Sequence, residues 1–235
     1  MHRILESSLY HTYVDDPSRG TLRPFIRTLI ERPDLALHVE KTDLQVEQSD
    51  RSAELSLHRA EYPIHTIREE EPSLCDIAQS VRFRTHGDCS TRQLWLQELE
   101  QGLADAELAL LLVLVSNLSE LHLVNSFFKP GHKFFRMAMM GVSIHSAYGM
   151  SHALSTLRKV KLSLCARGDS DPKLIASLLQ SESLQELEIE TLAAISEFYW
   201  QFWDCPEAVS NIQHLKFSNV NLSVKLIARL VRSCK

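Results

Sequence analysis

The chain has 235 residues, of which 44% are hydrophobic and 23% are charged, and its formal net charge is −5. These proportions are ordinary for a globular protein and exclude wholesale disorder. The acidic balance also argues against a nucleic-acid-binding protein, which needs a basic patch or stripe.

The terminal and apolar segments predict a protein with no membrane partner. The first residues show neither the apolar segment nor the small-residue cleavage site of a secretory signal. The longest apolar run, Leu108–Val115, is far shorter than the ~20 residues that a membrane span needs. The five cysteines are odd in number and scattered, which favours reduced thiols. We therefore expect a cytoplasmic or nuclear protein.

Residues 1–46 predict two strands with a helix between them. Leu9–Val14 follows the same pattern as Val39–Leu44, including a threonine at the fourth position. Between these segments, apolar doublets at Phe25–Ile30 recur four residues apart, which places them on one face of a helix. Residues 47–90 are polar and irregular, and we interpret them as an insertion.

Residues 91–235 contain clearer copies of a helix–strand unit. The stretch Ala106–Leu123 combines an apolar helix, a break, and a strand with the spacing L-x-x-L-x-L. Apolar doublets predict helices at Leu110–Val115, Leu174–Leu179 and Leu226–Val231. A further helix is predicted over Ser90–Leu99, with Leu94, Trp95 and Leu99 on one face. The strand spacing recurs at Leu118–Leu123, Leu157–Leu162, Leu184–Ile189 and Ile212–Phe217.

These units predict an α/β protein, an irregular leucine-rich-repeat solenoid with one domain over residues 1–235. The strand starts from Leu118 onward are 39, 27 and 28 residues apart. The last two steps fit the ~20–29 residues of a leucine-rich repeat, and the first requires an insertion. Parallel strands are expected on the concave face and helices on the convex face. The next strand is expected just beyond Lys235, so the array is predicted to be open or truncated.

Three segments carry a resemblance to known proteins: PFIRTLIERPDLALHV, Trp95 to Leu123, and SNIQHLKFSNVNLSVKLIARLVRSCK. They resemble fungal leucine-rich-repeat proteins, which often carry an F-box. The resemblance implies a right-handed αβ solenoid that presents a substrate protein to a cullin-type ubiquitin ligase through Skp1. No LPxEI-like F-box helix cluster precedes the first repeats, so Skp1 binding is not expected. Where the repeat motif has Asn or Cys, the chain has Ser126, Cys165, Leu192 and Val220, which argues against a continuous asparagine ladder.

The candidate site is a pair of charged rows on the face opposite the core. In an L-x-x-L-x-L strand the intervening residues point away from the core. Parallel stacking of the four clearer strands gives two rows, Glu120, Lys159, Glu186 and His214, and His122, Lys161, Glu188 and Lys216. Strands lie ~4.8 Å apart, so charges of opposite sign can pair. The rows either neutralise each other only, or also bind a charged protein partner.

No metal or cofactor is predicted. His86 and Cys89 are a lone pair of potential ligands, short of the four that close a structural zinc site. No glycine-rich phosphate loop occurs. Gly149–Ala153 approaches the nucleophile elbow G-x-S-x-G, so a serine hydrolase that uses Ser151 and His214 is an alternative interpretation.

The sequence thus predicts a non-enzymatic scaffold for protein–protein interaction. It is expected to act like the substrate-recognition part of an F-box adaptor that lacks its F-box. The alternatives are a truncated protein without independent activity and the serine hydrolase named above.

Overall fold

The computed structural model describes residues 8–16, 20–45, 89–126, 138, 155–164, 172–190, 207–219 and 224–234. Within these ranges six strands form one sheet, every neighbouring pair is parallel, and the spatial order of the strands is their order in the chain. The predicted α/β class is therefore confirmed. Most of the predicted insertion over 47–90 lies outside the described residues.

The strands are β1 (Thr12–Val14), β2 (Lys41–Gln45), β3 (Glu120–Ser126), β4 (Lys159–Leu164), β5 (Glu186–Glu190) and β6 (His214–Ser218). The helices are α1 (Leu22–Glu31), α2 (Pro33–Ala36), α3 (Cys89–Glu100), α4 (Ala104–Leu114), α5 (Pro172–Leu179) and α6 (Val224–Ser233). Every predicted apolar doublet falls in one of these helices, except that Val115 lies just beyond α4. Helix α5 begins at Pro172, where the missing N–H has no intrahelical partner to lose.

Each strand from β2 onward begins two residues after the first apolar residue of its motif, so the predicted strand starts are two residues early. Leu118, for example, is fully buried, but β3 starts at Glu120. At this point the carbonyl oxygen of the residue before one strand accepts two amide hydrogens from the next strand, at 2.8–3.1 Å. These carbonyls belong to His11, Glu40, Ser119, Arg158 and Gln185. The same junction therefore joins all five pairs of neighbouring strands.

A side chain three residues before a strand also joins successive units. Asn117 donates from Nδ2 to the carbonyl of Leu37 at 2.8 Å, and Asn211 donates to the carbonyl of Glu182 at 2.9 Å. Thr156 occupies the equivalent place before β4 and donates to the carbonyl of Ser116 at 3.1 Å. The bridging amides of Asn117 and Asn211 precede their strands, whereas Cys165, Leu192 and Val220, at the motif position after the strand, lie outside the described residues.

The hydrophobic core lies between one face of the sheet and the helices. Alternate residues of the strands, such as Leu121, Val160 and Leu187, are aligned across the sheet and almost fully buried. Helical residues such as Ile26 and Leu111 belong to the same core. The residues between the buried strand positions are partly or fully exposed. The sheet thus has a covered apolar face and a polar face, which we call the open face.

The pairing of β1 with β2 differs by one residue from the sequence comparison. Thr12 is aligned with Lys41 and Tyr13 with Thr42, whereas the repeated pattern aligned the two threonines. A shift of one residue exchanges the two faces of a strand. Tyr13 consequently points inward, where its ring stacks on Phe25 with centroids 3.8 Å apart, and Val14 is exposed. The two similar segments do form neighbouring strands, but the predicted alignment of their residues was wrong by one position.

Helix α4 is buried on every side rather than along one stripe. Each residue from Asp105 to Leu112 is buried, since the helix contacts α1 and α3 as well as the core. An apolar helix without an exposed face is the sequence signature of such a position. In α3, Trp95 and Leu99 are buried as predicted, and the indole of Trp95 donates to the carbonyl of Ala106 at 3.2 Å. Leu94, expected on the same face, is 40% exposed.

Candidate functional site

The open face carries three rows of aligned side chains, which we name by their order along the strands. The register confirms both predicted alignments and extends each by one residue from β2. The first row is Lys41, Glu120, Lys159, Glu186 and His214. The second row is Asp43, His122, Lys161, Glu188 and Lys216, and the third is Gln45, Val124, Ser163, Glu190 and Ser218. The role of these rows in binding is a prediction that the alignment alone does not test.

The charges of the first row form two separate ion pairs. Lys41 Nζ lies 2.8 Å from Glu120 Oε1, and Lys159 Nζ lies 2.9 Å from Glu186 Oε1. The hydrogen bond to Glu186 raises the pKa of Lys159. Exposed pairs of this kind contribute only ~0–1 kcal/mol to stability each. Their main effect is to hold long side chains in one arrangement on the surface.

Glu188 is the centre of the second row. Its carboxylate lies 2.6 Å from Lys216 Nζ and 3.9 Å from Lys161 Nζ, and its side chain is only 12% exposed. The hydrogen bond from Lys216 is the main cause of a lowered pKa at Glu188, and Lys161 adds to it. Lys161 also lies 3.3 Å from Glu190 and lowers the pKa of that third-row carboxyl. The second and third rows are thus linked through Lys161.

His122 belongs to a chain of hydrogen bonds that runs across four strands, from Asp43 to Glu190. Its Nδ1 lies 3.1 Å from Asp43 Oδ1 and its Nε2 lies 3.2 Å from Ser163 Oγ. Ser163 in turn donates to Glu190 Oε2 at 3.2 Å. Asp43, His122 and Ser163 therefore have the chemical order of a serine hydrolase triad, although no sequence motif singled out Ser163.

The fourth member of this chain argues against nucleophilic chemistry at Ser163. A serine nucleophile must donate its only hydroxyl hydrogen to the histidine. Here the same hydrogen is directed at Glu190, whose carboxylate would also repel the negative charge that develops during acyl transfer. We interpret the chain as a device that orders the surface of β2 to β5.

A shallow groove of about 570 Å³ crosses the amino-terminal ends of the strands. The first row forms one side of it, through Glu120, Lys159, Glu186 and His214. Residues directly before the strands form the other side, and they are Glu40, Ser119, Arg158, Gln185 and Gln213. The site predicted from the sequence does not include these residues, although they occupy the first variable position of L-x-x-L.

The alternative hydrolase residues are not brought together by anything described. His214 lies in the first row and is exposed, whereas Ser151 lies outside the described residues. Among the described residues no group of three or more His, Cys, Asp or Glu side chains is placed to hold a metal ion. None of the helices within the described ranges is long and apolar enough to cross a membrane.

Fold and face together define an α/β protein whose all-parallel sheet has one covered face and one polar face with cross-strand ion pairs. No family model, curated protein or solved structure matches this chain. The geometry of the open face therefore supplies the argument for function.

Proposed function

We propose that the protein is a non-enzymatic recognition scaffold, an irregular leucine-rich-repeat solenoid whose open face is concave and binds a protein partner. The observation that supports this most is the sheet itself. Six parallel strands follow one another in chain order, and the same main-chain junction recurs between all of them. A repeated unit that contacts only its neighbours is how solenoids are built.

The polarity of the open face adds a second argument. Parallel sheets are almost always covered on both faces by helices, which makes their strands continuously apolar. Here the strands alternate, and the outward positions of β3 to β6 are mainly charged or hydrogen-bonding side chains. A broad polar face on a parallel sheet is typical of solenoids that use it for binding.

The ion pairs make the open face suitable for recognition. Lys159, Glu186 and Glu188 are each held by a neighbour on the adjacent strand. Binding loses free energy when flexible side chains become ordered, and pairs that are already formed reduce that loss. A partner would then recognise a fixed pattern of charge rather than net charge.

The resemblance to F-box leucine-rich-repeat proteins supports a narrower role within this proposal, the presentation of a substrate protein to a ubiquitin ligase. The partner of the open face would then be the substrate rather than Skp1.

An experiment that exchanges the two members of an ion pair tests whether the open face binds a partner or whether its charges only neutralise each other. The full chain is used to select binders from a displayed library of protein fragments from its own source genome. The variant Lys159→Glu with Glu186→Lys keeps the cross-strand pair but reverses the pattern that a partner meets. We expect an unchanged melting temperature and at least tenfold weaker binding of the selected fragments, measured by surface plasmon resonance.

The matched control exchanges an exposed ion pair outside the open face. Arg32 Nη2 lies 2.8 Å from Asp34 Oδ2 at the start of α2, and Arg32→Asp with Asp34→Arg reverses it. This control should bind the selected fragments like the unaltered protein. Equal binding by both exchanged variants would contradict recognition through the open face.

A further inference from the structure

We propose that Arg158 binds a carboxylate of the partner, and that the groove before the strands accepts an extended acidic peptide segment. The inference rests on the proposed recognition function and names the chemistry of the segment that is recognised. Three observations carry it: an exposed guanidinium with no partner among the described residues, amides in line with it, and neighbouring glutamates that are already paired.

Arg158 differs from the lysines of the open face. Lys41, Lys159 and Lys216 each lie within 3 Å of a glutamate oxygen, and Lys161 lies 3.3 Å from one. The side chain of Arg158 is exposed, lines the groove, and has neither an ion pair nor a hydrogen bond within the described part of the chain. Its five N–H groups are therefore open to a ligand.

Two glutamines continue the line that Arg158 begins. Gln185 and Gln213 lie directly before β5 and β6, as Arg158 lies directly before β4. The carbonyl of Arg158 accepts from the amide of Gln185, and the carbonyl of Gln185 accepts from the amide of Gln213. Their side chains are exposed and line the groove, and nothing in the described ranges is bonded to them. Neighbouring strands lie ~4.8 Å apart, so the three side chains offer donors over ~10 Å. Side-chain amides both donate and accept hydrogen bonds, so they can bind the N–H and C=O groups of a peptide main chain.

The carboxylates of the groove make an acidic ligand more suitable than a basic one. Glu120 and Glu186 are already paired with Lys41 and Lys159. Glu40 lies 3.3 Å from His11 Nε2. A basic segment would have to displace these partners, whereas an acidic side chain meets a free guanidinium. Arginine binds a carboxylate through two parallel hydrogen bonds, which gives direction as well as attraction.

The test uses two pools of fluorescein-labelled 12-residue peptides with the full chain. Both pools are random in uncharged residues, and the central position is Glu in one pool and Gln in the other. We expect fluorescence anisotropy to show at least fivefold tighter binding of the Glu pool at low salt. Arg158→Gln should abolish the preference, and Arg158→Lys should keep only part of it because the planar fork is lost.

Arg232→Gln is the matched control, since Arg232 is an exposed arginine of α6 outside the groove. It should leave the preference unchanged. Equal binding of the two pools, or a preference that survives Arg158→Gln, overturns the inference. If the pools discriminate through Arg158 but fragment binding ignores the exchange at Lys159 and Glu186, the proposed function fails and the anion site stands. If the pair exchange weakens fragment binding but the two peptide pools bind equally, the anion site is rejected and the proposed function stands.

Discussion

At the scale of single residues, Thr42 shows a polar side chain that the fold leaves unsatisfied. It is 1% exposed on the covered face of β2, aligned between Tyr13 and Leu121. Its Oγ1 is buried without a hydrogen-bond partner among the described residues. A buried hydroxyl in that state costs stability, because its hydration is lost and not replaced.

Thr42→Val should therefore stabilise the protein by about 1 kcal/mol, since valine has the same shape without the hydroxyl. The free energy of unfolding is measured by urea denaturation. Thr156→Val is the opposite control, because the Thr156 hydroxyl donates to the carbonyls of Ser116 and Leu118. That change should destabilise by about 1 kcal/mol. A loss of stability in Thr42→Val would show that its hydroxyl has a partner after all.

The residues of the open face show how far sequence reasoning reached at this scale. The alternation L-x-x-L-x-L placed Glu186 and Glu188 on one face and aligned them with their neighbours. It did not predict that Lys161 would reach the third row, or that Arg158 would stay free while Lys159 is paired. Those outcomes depend on the lengths and rotamers of side chains from different strands, which a repeat pattern does not contain.

At the scale of elements, α4 is the clearest difference between the pattern and the structure. The doublets predicted a buried stripe that included Leu110 and Leu111. In the structure Leu112, which lies off that stripe, is as fully buried as Leu111. The cause is the contact of α4 with α1 and α3, and the apolar composition of the helix does not tell which elements make that contact.

Leu112→Ala should accordingly destabilise the protein as much as Leu111→Ala, by about 2–5 kcal/mol each. Both substitutions leave a cavity in a fully packed environment. Val231→Ala in α6 is the control, because Val231 is 57% exposed, and it should change stability by less than about 0.5 kcal/mol. Chemical denaturation measures all three. A small effect at Leu112 would indicate that α4 packs along one face only.

At the scale of the whole molecule, carboxyl groups with raised and with lowered pKa values make stability depend on pH in opposite directions. Burial raises the pKa of Glu107, whose Oε1 lies 3.6 Å from Arg23 Nε. The folded protein then keeps a proton that the unfolded chain has released, so this group lowers stability as pH rises above its ordinary value of 4.5. Glu188 acts in the reverse sense, because its lowered pKa contributes stability that is lost as pH falls.

Comparison with Glu107→Gln isolates the first of these effects. The melting temperature of the unaltered protein, relative to the variant, should fall as the pH is raised from 4.5 toward 7. Val231→Ala serves as the control, since Val231 is exposed and has no titratable group, and this variant should follow the unaltered protein at every pH. Parallel curves for Glu107→Gln and the unaltered protein would mean that Glu107 titrates alike in the folded and unfolded states.

The sequence by itself determined the local units and the face of each strand. Apolar spacing of period two separated Leu121 from Glu120, and doublets four residues apart located the helices, because both patterns follow from backbone geometry alone. The tertiary structure decided what depends on contacts between distant segments. These are the register of β1 against β2, the burial of α4 on all sides, and the bridge from Asn117 to Leu37. They also include the pairing that leaves Arg158 open to a ligand.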